Sequence, residues 1–129
     1  MTMEQRVRWL RVAYWVGAVL DAIAAVYLWI LALAGSYNLD FAWTALLMTG
    51  WTALLIWADR DPIARKDVLP MTSGLLLLRV GYTVWMTVVG RATLADTAIT
   101  IVWSLALAVF FAAIYHHAPA QTTRRPALG

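Results

Sequence analysis

The chain has no cysteine and only two histidines, which stand next to each other at His116 and His117. The missing cysteines exclude disulfides, thiolate metal sites, iron–sulfur clusters and cysteine nucleophiles. Two neighbouring histidines, with no other histidine and no cysteine in the chain, do not indicate a haem or zinc site. The sequence also has no Ser, His and acid constellation, no phosphate-binding glycine loop and no HExxH motif. We therefore expect a protein without cofactor or metal, and one that is not an enzyme.

Charged residues are also scarce: they make up 13% of the 129 residues, whereas 63% are hydrophobic. Soluble proteins have roughly 25% charged residues, so this composition is typical of an integral membrane protein. The net charge of +3 comes from bases in short segments between apolar runs, where they determine topology. The expected partner is therefore the lipid bilayer, and no nucleic acid is expected.

Four long apolar runs follow one another, each with at most one charged residue. They cover residues 12–34, 41–58, 71–90 and 97–115. A helix needs about 20 residues to cross a hydrocarbon core of about 30 Å, so each run is long enough for one span. The first run has Asp21 at its centre and is longer than a signal-peptide core, so we expect it to be retained. The predicted fold is all-α, a polytopic membrane protein with a four-transmembrane-helix bundle.

The distribution of lysine and arginine predicts how the chain is oriented. The N-terminal segment, the loop over 59–70 and the C-terminal tail have three, three and two of them, and the opposite side has only Arg91. Since positive segments stay on the cytoplasmic side, this predicts a multi-pass protein of the cell inner (plasma) membrane with both termini cytoplasmic. We expect a transmembrane domain over 1–118 and a flexible cytoplasmic tail over 119–129.

The connections between the runs predict two helical hairpins side by side. The outer loops, 35–40 and 91–96, are so short that the helices they join must be antiparallel neighbours. In the inner loop, Asp61 followed by Pro62 is typical of an N-cap and first helical position, and Pro70 is expected to end the segment. A short interfacial helix is therefore predicted over 62–69.

Asp21 and Arg79 are the only charged residues within the four apolar runs. Asp21 lies ten residues past Arg11 and Arg79 lies nine past Pro70, which places both roughly 14–15 Å deep. A charge at a helix centre costs roughly 2.5–3.5 kcal/mol and must face a partner or water. The equal depth predicts an ion pair between the first and third helices. Such a pair is either a structural contact that docks the hairpins or part of a proton or substrate-ion site.

Hydroxyl side chains near these two charges could line a passage between helices. Two of them follow Arg79 at i+3 and i+4, and two belong with Thr97 to a polar stripe on the fourth helix. These candidates are Tyr82, Thr83, Thr100 and Ser104. The alternative interpretation is that the hydroxyls donate to carbonyls one turn back in their own helices, as they usually do in membranes.

Small residues flank Asp21 on one face of the first helix. They are Gly17, Ala18, Ala24 and Ala25. Small side chains permit close contact between membrane helices. Both internal packing and a dimer interface are consistent with this stripe.

Residues 50–69 read GWTALLIWADRDPIARKDVL, an apolar helix end followed by a charged connection. This segment resembles a recurring family of small prokaryotic four-helix integral membrane proteins through its GWTxLLxWADRxPxxRxxVL pattern. Residues 11–18, RVAYWVGA, followed by an acid three residues later, look like the same family. The likeness covers the first half of the chain well and the second half weakly. It implies four membrane helices and no assigned activity, and it marks as its signature Asp21, Trp57, Asp59, Arg60, Pro62 and Arg65.

Two functions are consistent with the sequence. The first is a non-catalytic accessory or scaffold protein, whose partner is a second copy or another membrane protein; the missing catalytic motifs and balanced loop charges favour it. The second is a small ion-coupled transporter working as a homodimer, with Asp21 as the titrating carboxylate. It resembles the small multidrug resistance transporters in size and in the acid in its first helix. A carboxylate paired with Arg79 is a poor proton carrier, so the pairing distinguishes the two.

Overall fold

The computed structural model describes residues 2–34 and 39–119. These residues form four α-helices and no strand: α1 (Met3–Leu33), α2 (Leu39–Asp59), α3 (Val68–Val88) and α4 (Leu94–His117). The predicted all-α four-helix bundle is confirmed. The predicted flexible tail lies outside the described residues except for its first residue, Pro119, and so does most of the predicted first outer loop.

Helix α1 begins well before the first apolar run because Thr2 caps it. The Thr2 hydroxyl accepts from the Gln5 backbone N–H at 3.3 Å, and the Gln5 side chain accepts from the Thr2 backbone N–H at 2.8 Å. This reciprocal capping box satisfies two N–H groups that have no partner inside the helix. With 31 residues, α1 is about 46 Å long and extends beyond a hydrocarbon core of about 30 Å.

The exposed surface of the bundle is apolar, as expected of a membrane protein. Three helices among the described residues are long and apolar enough to cross a membrane: α1, α3 and the 97–117 part of α4. Large apolar side chains are exposed on all four helices, for example Ile23, Leu47, Leu78 and Ile99. In water such a surface would drive aggregation, whereas in lipid it is the expected one.

The helices pair as two hairpins, α1 with α2 and α3 with α4, and the hairpins meet mainly through α1 and α4. The end of the bundle that carries the connection 60–67 is called the loop end here. Its core is formed by fully buried side chains from all four helices, which include Leu10, Tyr14, Leu55, Leu69 and Phe111. The hairpins are therefore packed against each other at the loop end.

Gly17 lets three helices approach closely in this core. A Cβ atom on Gly17 would lie 3.0 Å from Leu55 Cδ1 and 3.3 Å from Phe111 Cζ, closer than ordinary contacts. Ala18 and Ala25 of the same stripe are also buried. The small residues of α1 thus pack inside the bundle, where their size allows backbones to come together.

The connection 60–67 differs from the predicted interfacial helix over 62–69. Its residues form successive turns, and α3 begins at Val68 with Pro70 inside its first turn. The prediction was wrong because Pro70 does not end a helix here: the first N–H groups of any helix lack an intrahelical acceptor, so a proline removes no bond there. The Asp61 carboxylate does cap the first turn, where it accepts from the Ala64 N–H at 3.3 Å.

The connection between α3 and α4 is a tight reversal at Gly90, which has φ +72°. The Arg91 N–H donates to the Met86 carbonyl at 2.9 Å, and the Gly90 N–H donates to the Thr87 carbonyl at 3.1 Å. These two bonds form a Schellman motif, which requires a left-handed residue that glycine adopts without strain. The hairpin is closed further by the hydroxyls of Thr87 and Thr97, 3.2 Å apart.

Candidate functional site

Polar and aromatic side chains meet around the connection 60–67, and they tie it to α1, α2 and α4. We call them the loop-end cluster. It consists of Arg11, Tyr14, Trp15, Trp57, Asp59, Pro62, Arg65, Lys66, Asp67 and Tyr115.

Asp59, the last residue of α2, links α2 to α1. Its Oδ2 accepts from the Trp15 indole N–H at 3.3 Å, and its Oδ1 lies 3.8 Å from the Arg11 Nε. Oδ1 is buried and has no hydrogen-bond partner among the described residues, so the attraction to Arg11 is ionic without a hydrogen bond. Since the Arg11 side chain is 59% exposed, this ion pair adds about 0.2–1 kcal/mol.

Tyr14 links α1 to the connection from inside the core. Its side chain is fully buried, and its hydroxyl donates to the Pro62 carbonyl at 3.2 Å. A buried hydroxyl and a buried carbonyl are both costly without a partner, so this bond fixes where the connection lies over the core.

Arg65 caps the end of α2. Its guanidinium carbon lies 3.6 Å from the centroid of the Trp57 ring, and its Nη1 donates to the Trp57 carbonyl. The carbonyls of a last helical turn have no partner inside the helix and carry its negative dipole end, so a cation is favourable there. The planar guanidinium can also stack on the indole, which a lysine cannot do in the same way.

Lys66 and Asp67 link the connection to the end of α4. The Tyr115 hydroxyl donates to the Asp67 carboxylate at 3.3 Å, and the Lys66 ammonium donates to the Pro119 carbonyl at 3.0 Å. The ammonium also lies 5.6 Å from the Tyr115 ring centroid, within the range of a cation–π contact. The connection therefore holds both hairpins together.

The structure brings together four of the five loop residues that the sequence singled out. Trp57, Asp59, Pro62 and Arg65 make the contacts just described, and Arg60 is exposed. Sequence reasoning missed the partners from α1 and α4, because they lie more than 40 residues away from the loop residues that they contact. Their signal was present: indole and phenol groups capable of hydrogen bonds stand at the same end as the charged loop.

Asp21 and Arg79, both among the described residues, are not in direct contact. Asp21 is half-buried and Arg79 is exposed. Within the described residues, no N···O distance of 4.0 Å or less joins them, and the Arg11–Asp59 pair is the salt bridge formed there. The predicted direct ion pair is thus not present in this arrangement of the two hairpins.

Arg79 is exposed although it shares a face of α3 with a buried residue near the loop end. Thr72 is buried and accepts from the Trp51 indole N–H at 3.2 Å. Arg79 lies seven residues further on, at two helical turns, and hence on the same face of α3. That face of α3 is therefore covered near the loop end, at Thr72, and exposed two turns further along, at Arg79.

Of the four hydroxyl candidates for a polar lining, Thr83 bonds to the backbone of its own helix, as does Thr97 of the same polar stripe. The Thr83 hydroxyl donates to the Arg79 carbonyl at 2.8 Å, and the Thr97 hydroxyl donates to the Thr93 carbonyl at 2.9 Å. Tyr82 is exposed, Thr100 is half-buried and Ser104 is buried. The bonds to carbonyls one turn back agree with the alternative interpretation for Thr83 and Thr97.

The described residues of the site do not gather into a group that would hold a metal ion. In the part of the chain that the structure describes, no group of three or more His, Cys, Asp or Glu residues could hold one. The acids of the loop-end cluster contact bases and aromatic N–H or O–H groups instead. The chemistry available at the loop end is thus hydrogen bonding and ion pairing.

Comparison with known proteins supplies no counterpart for this site. No protein-family model matches the chain, and no curated protein or solved structure matches it. What the chain does must therefore follow from the geometry of its own residues.

Proposed function

We propose that the chain is a non-catalytic accessory or scaffold protein that crosses the cell inner membrane four times, with both termini and the loop end in the cytoplasm. The excess of basic residues at the loop end supports this orientation. The resemblance of residues 50–69 to small four-helix membrane proteins supports the same topology.

Helix α2 is the fourth span in this proposal. It has the same 21 residues as α3, and its 41–58 stretch has no charged residue. Helix α2 also packs against α1 as the second half of a hairpin. If α1 spans the membrane, a helix that packs along it must lie in the membrane as well.

The observation that carries the proposal is the exposure of Arg79 midway along α3. A single chain in a bilayer would expose this cation to hydrocarbon, which costs roughly 2.5–3.5 kcal/mol per charge. Leu75, Leu78 and Tyr82 are exposed next to it. A helix of a partner protein or of a second copy would cover the apolar side chains and supply an acceptor for the guanidinium. Such a requirement for a partner is typical of an accessory subunit.

The proposal is tested by the size of the assembly that the protein forms in its own membranes. The protein is extracted in a mild detergent, and its mass is measured by light scattering after size-exclusion chromatography. We expect the wild-type protein to run as an assembly larger than one chain and Arg79→Gln to lose most of that assembly. Arg91→Gln, which removes an exposed base outside the span, should keep it.

Two outcomes would overturn the accessory function. One is a wild-type protein that is monomeric under conditions in which its fold is intact. The other is an assembly that Arg79→Gln leaves unchanged, because the exposed cation would then contribute nothing to association.

The lack of direct contact between Asp21 and Arg79 favours one second candidate, the small ion-coupled transporter. An acid without a contacting base at mid-membrane is free to exchange a proton. Proton flux into proteoliposomes, followed with a pH-sensitive dye, tests it. A transporter would lose flux in Asp21→Asn and keep it in Asp59→Asn, whereas an accessory protein would give no flux in any variant.

A further inference from the structure

A groove of about 130 Å³ runs between the first turns of α1 and the last turns of α4, at the loop end. It is separate from the loop-end cluster and from Arg79. Its lining residues are Arg6, Trp9, Phe110, Ala113, Ile114 and His117.

The lining of the groove is almost wholly apolar, and its rim is the end nearest the helix termini, where Arg6 and His117 stand. Phe110, Ala113 and Ile114 come from consecutive turns of α4, and Trp9 faces them from α1. At the rim stand Arg6, whose charge is permanent, and His117, whose ring offers an N–H donor. Among the described residues, the lining includes no acid. This distribution suits a ligand with an apolar chain and an anionic group at one end.

The size of the groove limits what can occupy it. Sites for drug-sized molecules usually measure about 300–1,000 Å³, and a cavity of about 150 Å³ holds one benzene ring. The groove therefore accommodates a short stretch of hydrocarbon and not a whole organic substrate. A lipid fits this limit, because most of its tail remains in the bilayer.

The position of the groove agrees with a lipid as well. Helix α1 extends beyond the apolar run that starts at residue 12, so Arg6 lies past the hydrocarbon core. Trp9 is half-exposed, as tryptophans at the membrane interface are. His117 is the last residue of α4. The polar rim is thus at headgroup level and the apolar floor at the level of the first acyl carbons.

We propose that this groove binds one anionic phospholipid of the leaflet that faces the loop end. The acyl chain lies on Trp9, Phe110 and Ile114, and the headgroup phosphate accepts hydrogen bonds from the Arg6 guanidinium and the His117 imidazole. The inference needs the loop end at a membrane surface, but it does not need the accessory function. A zwitterionic lipid binds less well, because its ammonium group meets the Arg6 charge without an acid to balance it.

Native mass spectrometry of the detergent-solubilised protein tests the proposal, with phosphatidylglycerol and phosphatidylcholine of identical acyl chains as probes. We expect phosphatidylglycerol to bind more tightly. A basic residue near an anionic lipid contributes about 1 kcal/mol, so Arg6→Gln should weaken phosphatidylglycerol binding about five-fold. Arg60→Gln is the matched control, because it removes an exposed base at the same end outside the groove, and it should bind as the wild type does.

A second variant, Ala113→Phe, tests the apolar floor without disturbing the core. Ala113 is exposed on α4, so the larger side chain fills the groove and should abolish specific phosphatidylglycerol binding while thermal stability stays at the wild-type value. Binding that depends on acyl-chain length supports the lipid, since inorganic phosphate cannot show it.

Several results would overturn the inference. The wild type could bind both lipids with equal affinity, or Arg60→Gln could lose as much phosphatidylglycerol affinity as Arg6→Gln does. Ala113→Phe could bind phosphatidylglycerol as the wild type does, or inorganic phosphate at the concentration of the lipid could displace it. Each outcome is independent of assembly size, so the failure of this inference is distinguishable from failure of the accessory function.

Discussion

Arg65→Gln is the substitution that we expect to weaken the loop-end cluster most clearly. Arg65 makes two contacts with one residue, Trp57: its guanidinium stacks 3.6 Å from the indole centroid, and its Nη1 donates to the Trp57 carbonyl. Glutamine removes the charge and the planar group while keeping a polar side chain of similar reach. The end of α2 then loses both its cap and its cation.

The magnitude follows from the two contacts. A cation–π contact at an exposed site is worth about 0.5–1 kcal/mol, and a hydrogen bond to a charged group about 1.5–3 kcal/mol. Because both contacts lie at the surface, where solvent screens them, we take the lower end of each range. We expect Arg65→Gln to lower the free energy of unfolding by about 2 kcal/mol.

Equilibrium unfolding in mixed micelles, with sodium dodecyl sulfate as denaturant and helix content as the signal, measures this loss. Arg65→Lys should recover part of it, since lysine keeps a cation near the end of α2 without the stacked plane. Arg60→Gln, an exposed base in the same connection, should stay within about 0.5 kcal/mol of the wild type. The reasoning is refuted if Arg65→Gln also stays within that limit, or if Arg60→Gln destabilises equally.

Three further predictions use the same unfolding assay. Tyr14→Phe removes the buried hydroxyl that donates to the connection and should cost about 1 kcal/mol; an unchanged stability would mean that this bond does not hold the connection. Gly90→Ala places a side chain at φ +72° and should lower the free energy of unfolding by about 1–2 kcal/mol. Its control is Gly81→Ala in α3, where no atom lies within 4 Å of the new Cβ. This control should be neutral or stabilising by about 0.5–1 kcal/mol. The double-mutant cycle of Asp21→Asn and Arg79→Gln should give a coupling below about 0.5 kcal/mol, because the two side chains do not touch; a coupling several times larger would mean that they pair directly in the bilayer.

The helices and their pairing could be predicted from the apolar runs and the short outer connections. The second run, 41–58, lies within the observed α2, Leu39–Asp59. The early start of α1 was missed because hydrophobicity alone defines spans, although the sequence Thr-x-x-Gln at positions 2–5 has the spacing of a capping box.

The connection 60–67 was harder to predict because a proline can stand at either boundary of a helix, just after its last residue or within its first turn. The sequence predicts Asp61 and Pro62 as the start of an interfacial helix; the Asp61 carboxylate does accept from the Ala64 N–H, but only turns follow. The sequence also predicts that Pro70 ends this segment, whereas Pro70 belongs to the first turn of α3. Which of the two boundaries Pro70 occupies depends on the position of α3 against the core, where Leu69 is fully buried. Sequence spacing does not contain that information.

In the candidate site, too, sequence spacing does not tell which distant residues come into contact. Counting residues places Asp21 and Arg79 at equal depth, but whether they touch depends on how far the hairpins separate. In the loop-end cluster, the bond from Trp15 to Asp59 joins residues 44 positions apart, and that from Lys66 to Pro119 joins residues 53 positions apart. No local pattern predicts such partners.

Photo-crosslinking on the face of α3 that carries Arg79 tests the accessory function most directly. A photoreactive residue replaces Leu78, which is exposed beside Arg79, or Ile99, which is exposed on α4 as the matched control. Irradiation in native membranes should give protein adducts at Leu78 and lipid adducts at Ile99, and the adducts at Leu78 should decrease in Arg79→Gln. Lipid adducts alone at both positions would contradict the account, because the Arg79 face of α3 would then have no protein partner.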